Sequence, residues 1–170
     1  VAYGNVAVNL SPSQLWAHRF AETVIETVER FGLTPADVSF ELTESSALAD
    51  EETAKAVLNT LAQAGFDIAL DDFGTGYASL AHIREYPFTD IKIDRSFITE
   101  IGSNGQDGKI ADAAIHIAHI LDRRIIAEGV ETAAQLKWLQ NNKCDYAQGY
   151  LFSRALEPDD FCDFLKKSRL

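Results

Sequence analysis

Six short runs, all but the last rich in β-branched and apolar residues, recur along the chain, and each carries a polar residue at or next to its end. They are residues 6–10 (VAVNL), 38–43 (VSFELT), 67–71 (DIALD), 90–94 (DIKID), 124–128 (RIIAE) and 145–149 (DYAQG). Between them the apolar period lengthens to that of a helix. Ser11 as N-cap and Pro12 in the first turn open one helix, whose predicted stripe is Leu15, Phe20, Val24, Ile25, Val28 and Phe31, closing at Gly32. A second runs from Asp50 through Val57, Leu58 and Leu61 to a stop at Gly65. Thr132 and Gln135 form a capping box for another, and further helices are predicted over 77–84 and 110–121. A last helix follows Pro158, with Phe161, Phe164 and Leu165 facing inward, while the glycine-rich stretch 102–108 reads as a surface loop.

Strict alternation of strand and helix implies an α/β fold with a parallel sheet, whose strands, buried on both faces, read as near-continuous apolar runs. Six βα units are visible in 170 residues. A (β/α)8 barrel usually takes about 250 residues, so the chain is roughly two units short of one. An open doubly wound sheet would need no further piece. The polar residues decide for the barrel: Asn9, Glu41, Asp71, Lys92, Glu128 and Gln148 all fall in the C-terminal half of successive strands, where barrel enzymes carry their chemistry. The expected fold is a TIM-like barrel lacking its N-terminal two units.

Composition narrows the function classes. With 46% apolar residues the chain can build a core, and no run of about eighteen uncharged apolar residues reads as a membrane helix. The first residues do not form a signal peptide. Twenty-six acidic against fifteen basic residues give a net charge of −11, which argues against binding duplex nucleic acid; an anionic ligand would need help from a metal. Cys144 and Cys162 are too few and too far apart for a zinc knuckle or disulfide scaffold, and both are expected to be core thiols of a reducing, cytoplasmic compartment. The chain begins at Val1 and contains no methionine, so it is expected to continue upstream in the parent protein.

Four of the strands bring Glu41, Asp71, Asp72 and Glu128 into one acidic mouth, with Asn9 as a neutral oxygen ligand. Such a cluster repels itself without cations, and oxygen donors suit Mg²⁺ or Mn²⁺. A two-metal site would orient water for in-line attack on a phosphodiester. Calcium is expected to bind and inhibit, because it tolerates looser geometry. Lys92 could hold the attacking water or neutralise developing charge; a barrel enzyme using it as a proton-abstracting base is a further possibility. Singly, each residue has a plainer reading. Asp71 and Asp72 precede Phe73-Gly74 and could form an Asx turn, Glu44 and Ser45 could cap a helix, and Asn9 could simply lead into one. His116 and His119 share a helix face, with no carboxylate beside them in the sequence, and read as surface groups. Six charged or amide residues at equivalent places in six strands favour a site over six independent caps.

The motifs NLS (9–11), ELTES (41–45), DDFGTGYASL (71–80), KIDRSF (92–97), AEGVET (127–132) and QGYLFS (148–153) occur in order along the whole chain. As a set they closely resemble the EAL-domain family of bacterial cyclic di-GMP phosphodiesterases. The resemblance implies a modified barrel with an antiparallel first strand, and hydrolysis of cyclic di-GMP to pGpG with Mg²⁺ or Mn²⁺. It also implies that Asn9, Glu41 and Asp71 bind one metal and Asp71 and Asp72 the other. Lys92 and Glu128 would hold the catalytic water, Gln148 would support the site, Glu44 would brace the DDFGTG loop, and Glu131 would lie near a guanine. The family's naming motif, Glu-Ala-Leu followed by an arginine, has no counterpart here. Residues 1–170 are therefore expected to be the C-terminal portion of an EAL domain, in a protein that also carries sensory or GGDEF-type domains and can be anchored to a membrane elsewhere. The open edge predicts self-association, as a homodimer. The alternative is a degenerate module that binds cyclic di-GMP or a protein partner without cleaving it.

Overall fold

The protein, seen as a computed structural model, is described over residues 4–48, 51–75, 80–102 and 108–167. Six parallel strands pair in sequence order: β1 (Val6–Asn9), β2 (Val38–Thr43), β3 (Asp67–Phe73), β4 (Asp90–Ile93), β5 (Arg124–Ala127) and β6 (Tyr146–Ala147). The helices are α1 (Pro12–Leu15), α2 (Phe20–Arg30), α3 (Glu44–Leu48), α4 (Glu51–Gln63), α5 (Leu80–Glu85), α6 (Arg95–Thr99), α7 (Lys109–Ile120), α8 (Ala133–Asn141) and α9 (Pro158–Lys167). Residues 77–79 of the expected fifth helix, Asp50 and residues 103–107 of the glycine-rich loop lie outside the described residues. Among those described, no helix is long and apolar enough to cross a membrane.

The strand residues alternate faces, as a pleated backbone requires. Phe40, Leu42, Ile68, Leu70, Ile91, Ile93, Ile125 and Ala127 turn to the helices and meet Leu58, Leu61, Ile83, Ile115 and Leu139, all buried. Each such Leu, Ile or Phe contributes about 1.5–3 kcal/mol of burial. The opposite set, including Ser39, Glu41, Asp67, Ala69, Asp90, Arg124, Ile126, Tyr146 and Gln148, lines a single cavity of about 660 Å³. One cavity touched by all six strands means the sheet curls, with a polar concave face. The strands are thus apolar outward and polar inward, not buried on two apolar faces, and the apparent continuity of the runs came from small residues such as Ala69 on the inner face.

Two sequence expectations about helices are corrected. The first helix is broken: α1 ends at Leu15, Arg19 takes a left-handed conformation (φ 56°), and α2 restarts at Phe20. Leu15 and Phe20 are five residues apart, about 140° around a helix, so one straight helix could not bury both. Phe31 lies past the end of α2, 71% exposed beneath the Arg30 guanidinium. On α9, Phe164 and Leu165 are half-buried but Phe161 is exposed. Nor are both cysteines core thiols: Cys162 is exposed, while Cys144 is half-buried and burial pushes its thiol up to about 11.

Candidate metal site on the concave face

Lys92, in the centre of β4, is 3% exposed, and its Nζ lies 2.7 Å from Glu41 Oε2, 2.7 Å from Glu128 Oε1 and 3.2 Å from Asp71 Oδ1. A lone buried ammonium would be expelled by its desolvation cost, so three carboxylates from β2, β3 and the end of β5 are what keep it there. Burial works against its charged form, but the hydrogen bonds to Glu128 and Glu41 outweigh burial and hold the lysine above its ordinary range. Glu128 shows the converse. Burial raises its carboxyl above the usual range, and Lys92 offsets only part of this.

The two aspartates owe their positions to an irregularity in β3. Its ladder with β4 runs Ala69 beside Asp90 and Leu70 beside Ile91, then resumes with Phe73 beside Ile93, so β3 carries one extra residue at Asp71–Asp72. Asp72 takes a left-handed conformation (φ 57°), and its N–H donates to Asp71 Oδ1 at 3.0 Å. The bulge turns two consecutive carboxylates toward one mouth, which a regular strand would send to opposite faces. Burial, then the negative charges of Asp71 and Asp94, raises the Asp72 carboxyl. Carboxylate oxygens of Asp71, Asp72 and Glu128 come within 4.8 Å of one another. That all-oxygen cluster, in which two of three carboxyls are pushed up, fits a hard divalent cation.

Around this centre the expected residues divide. Asn9 closes β1 beside Glu41, and the Leu10 N–H donates to the Glu41 carbonyl at 2.8 Å. Gln148 follows β6, its N–H donating to the Ala127 carbonyl and its carbonyl accepting from Val130. Gly149 passes so close to Val130 that a Cβ would lie 2.3 Å from that residue's backbone. Glu44 begins α3, 4% exposed, with Oε2 unpaired. Of the DDFGTG loop that it was expected to brace, Asp71–Thr75 are described and Gly76 lies outside the described residues. Glu131 is exposed at the rim, its N–H donating to Gln135 Oε1. Asp94 is the N-cap of α6; burial pushes its carboxyl up, but hydrogen bonds from Ser96 bring it below the ordinary value. The two histidines do have acidic neighbours, contrary to expectation: His116 Nδ1 lies 3.4 Å from Asp112 on α7, and His119 Nε2 3.1 Å from Asp145 beyond it. Both are exposed and remote from the mouth in sequence and strand level.

Sequence reasoning overlooked a second charged group on the concave face, Arg124 with Asp67 and Asp90. The signal was present, since all three precede site residues by two or four positions on the same pleat.

A curled parallel sheet with an acidic cluster at its C-terminal rim is part of a TIM-like barrel, and the cluster is compatible with a divalent cation. Residues 2–155 match the EAL domain. The cyclic di-GMP phosphodiesterase NbdA of Pseudomonas aeruginosa is 39% identical over 164 residues, which cover 96% of this chain and 21% of NbdA. The EAL domain of Mycobacterium smegmatis DcpA superposes with a TM-score of 0.90 at 38% identity, over 98% of this chain and 74% of that one. Klebsiella pneumoniae BlrP1, solved with manganese and cyclic di-GMP and with calcium and cyclic di-GMP, gives a TM-score of 0.80 at 32% identity, over 88% of this chain and 38% of that one. The chain spans about a fifth of the length of the curated relatives it matches. It belongs to the EAL domain family, and its six strands are part of a TIM-like barrel.

Proposed function

We propose that residues 1–170 are the C-terminal portion of a catalytic EAL domain that hydrolyses cyclic di-GMP to pGpG with Mg²⁺ or Mn²⁺. The observation that carries this reading is the convergence of Glu41, Asp71 and Glu128 on Lys92, with Asp72 beside them, at the rim of a chain belonging to this family. Asn9, Glu41 and Asp71 would hold one cation, and Asp71 and Asp72 a second. The cations supply Lewis acidity towards the phosphoryl oxygens. Lys92 contributes a fixed positive charge where negative charge develops on phosphate, in a site already shielded from water. Glu128, hydrogen-bonded to Lys92, orients the attacking water with it. Gln148 lines the same concavity and supports the site, and Glu44 braces the DDFGTG loop. Calcium would occupy the site without supporting turnover.

The same reading makes the domain a cytoplasmic module of bacterial second-messenger signalling, joined to sensory or GGDEF-type domains and working as a homodimer. The test is pGpG release by the full-length protein with Mn²⁺, wild type against Lys92→Ala. Turnover that falls with little change in KM supports the assigned role of Lys92. Unchanged turnover with a weakened KM makes it a phosphate anchor. Wild-type binding of cyclic di-GMP without pGpG release identifies the degenerate binding module instead.

A further inference from the structure

One side-chain layer below Lys92, the concave face carries the second charged cluster. Arg124, at the start of β5, forks onto Asp90 of β4, Nε to Oδ1 at 2.6 Å and Nη2 to Oδ2 at 2.6 Å. The same Nη2 reaches Asp67 Oδ2 on β3 at 2.7 Å. Thr89 Oγ1 donates to Asp90 Oδ2 at 2.7 Å and accepts the N–H of Ile68 on β3 at 3.0 Å. Three strands are thereby tied together, the three that end in Asp71–Asp72, Lys92 and Glu128.

Above this level the backbone ladder between β3 and β4 is interrupted for one residue. The extra residue at Asp71–Asp72 leaves Lys92 without a regular partner on β3, since pairing skips from Ile91 to Ile93. On that side, Lys92 itself has no ladder partner at the height where Nζ meets the carboxylates, and only its neighbours Ile91 and Ile93 are paired. Ile91 and Ile93 keep ladder partners on both sides, but their side chains face the helices; Asp90, two residues before Lys92 on its own pleat and 5% exposed, is the nearest concave-face side chain of β4 below Lys92 that is linked to both neighbours, through Arg124 and Asp67.

We infer that the Arg124–Asp90–Asp67 clamp is a positioning device: it holds β4 between β3 and β5 just beneath the bulge, and so sets where Lys92 Nζ stands between Asp71 and Glu128. The inference deepens the proposed hydrolysis and rests on that reading. Arg124 touches no reacting group, and it acts through Asp90 and the strand. A planar fork that meets carboxylates of two strands at once is something a lysine's single ammonium cannot reproduce.

The experiment compares Arg124→Lys and Arg124→Met in the full-length protein with Lys55→Met, which removes the surface pair Lys55–Glu85 (2.9 Å). Two quantities are read: kcat and KM for cyclic di-GMP with Mn²⁺ per folded molecule, and the rate at which an N-hydroxysuccinimide ester acylates Lys92 in metal-free protein, followed by peptide mass spectrometry against exposed Lys109. Misplacing a reacting group by about 1 Å can cost about 100-fold in rate. Both Arg124 variants are expected to lower kcat about tenfold or more with KM within about twofold. They should also speed acylation of Lys92 relative to Lys109, while Lys55→Met changes neither. Should Arg124→Met fail to fold, Arg124→Lys carries the test. A lower melting temperature with wild-type kcat per folded molecule and wild-type protection of Lys92 would make the clamp merely structural and overturn the inference. Faster acylation in a protein that shows no turnover even as wild type would uphold the positioning role and defeat the hydrolysis reading instead.

Discussion

Replacing Lys92 with methionine keeps most of the side chain's volume and removes its charge, which isolates what the ammonium does. The lysine is 3% exposed and meets three carboxylates at 2.7, 2.7 and 3.2 Å. Removing one partner of a buried ion pair costs about 3–5 kcal/mol, because the other is left charged and uncompensated. Here one cation serves three anions, so the upper end of that range is expected near neutral pH. For a domain of this size that upper end corresponds to a fall in Tm of about 10–20 °C. The loss depends on pH, with a definite sign. Burial already lifts the Glu128 carboxyl above its ordinary range, and without Lys92 it rises further. A carboxyl whose folded value exceeds its unfolded one favours folding while protonated, and that contribution is lost as pH rises through the folded value. The deficit of Lys92→Met should therefore be smaller at about pH 5 than at about pH 8. Mn²⁺ should raise Tm more in the variant than in wild type, since the cation finds an uncompensated charge that Lys92 otherwise neutralises. Circular dichroism melts at both pH values, with and without Mn²⁺, test all three statements. A variant that melts with wild type at about pH 8 would show that the carboxylates do not depend on Lys92 for neutralisation.

Asp71→Asn should remove most of the Mn²⁺-induced rise in Tm, read by calorimetry, whereas an equal rise in variant and wild type would mean that Asp71 is no ligand. Gly149→Ala places a Cβ 2.3 Å from the Val130 backbone and should destabilise by about 1–3 kcal/mol or more, measured by urea titration. Asp94→Ala should cost about 1 kcal/mol through loss of the α6 N-cap. Because hydrogen bonds from Ser96 hold that carboxyl below its ordinary value, the cost should be present at neutral pH and disappear as pH falls through the folded value. Calcium should compete with Mn²⁺ for the site and suppress pGpG release by the full-length protein, as a titration of activity against Ca²⁺ at fixed Mn²⁺ would reveal.

Six strands, their parallel order and the rim position of Glu41, Asp71, Lys92 and Glu128 were legible in the sequence, because period-two patterning and strand–helix alternation are local signals that burial enforces everywhere along the chain. The motif set placed the chain in its family for the same reason, since each motif lies on consecutive residues. The break between α1 and α2 was not legible: it depends on which way Leu15 must turn to reach the core, a question settled by distant partners. Nor was the left-handed Asp72 in its bulge, whose aspartates the sequence offered equally as an Asx turn. The sequence placed Lys92 in the acidic mouth as a holder of water or of developing charge, whereas its direct pairing with carboxylates from three strands up to 87 positions apart in the chain, Glu41 to Glu128, is a product of the fold. Arg124, Asp90 and Asp67 each open a different strand, and only the curled sheet sets them side by side. Their pairing, like the shared cavity of all six strands, is a product of strand register and sheet curvature, which are properties of the assembled sheet and of no single segment.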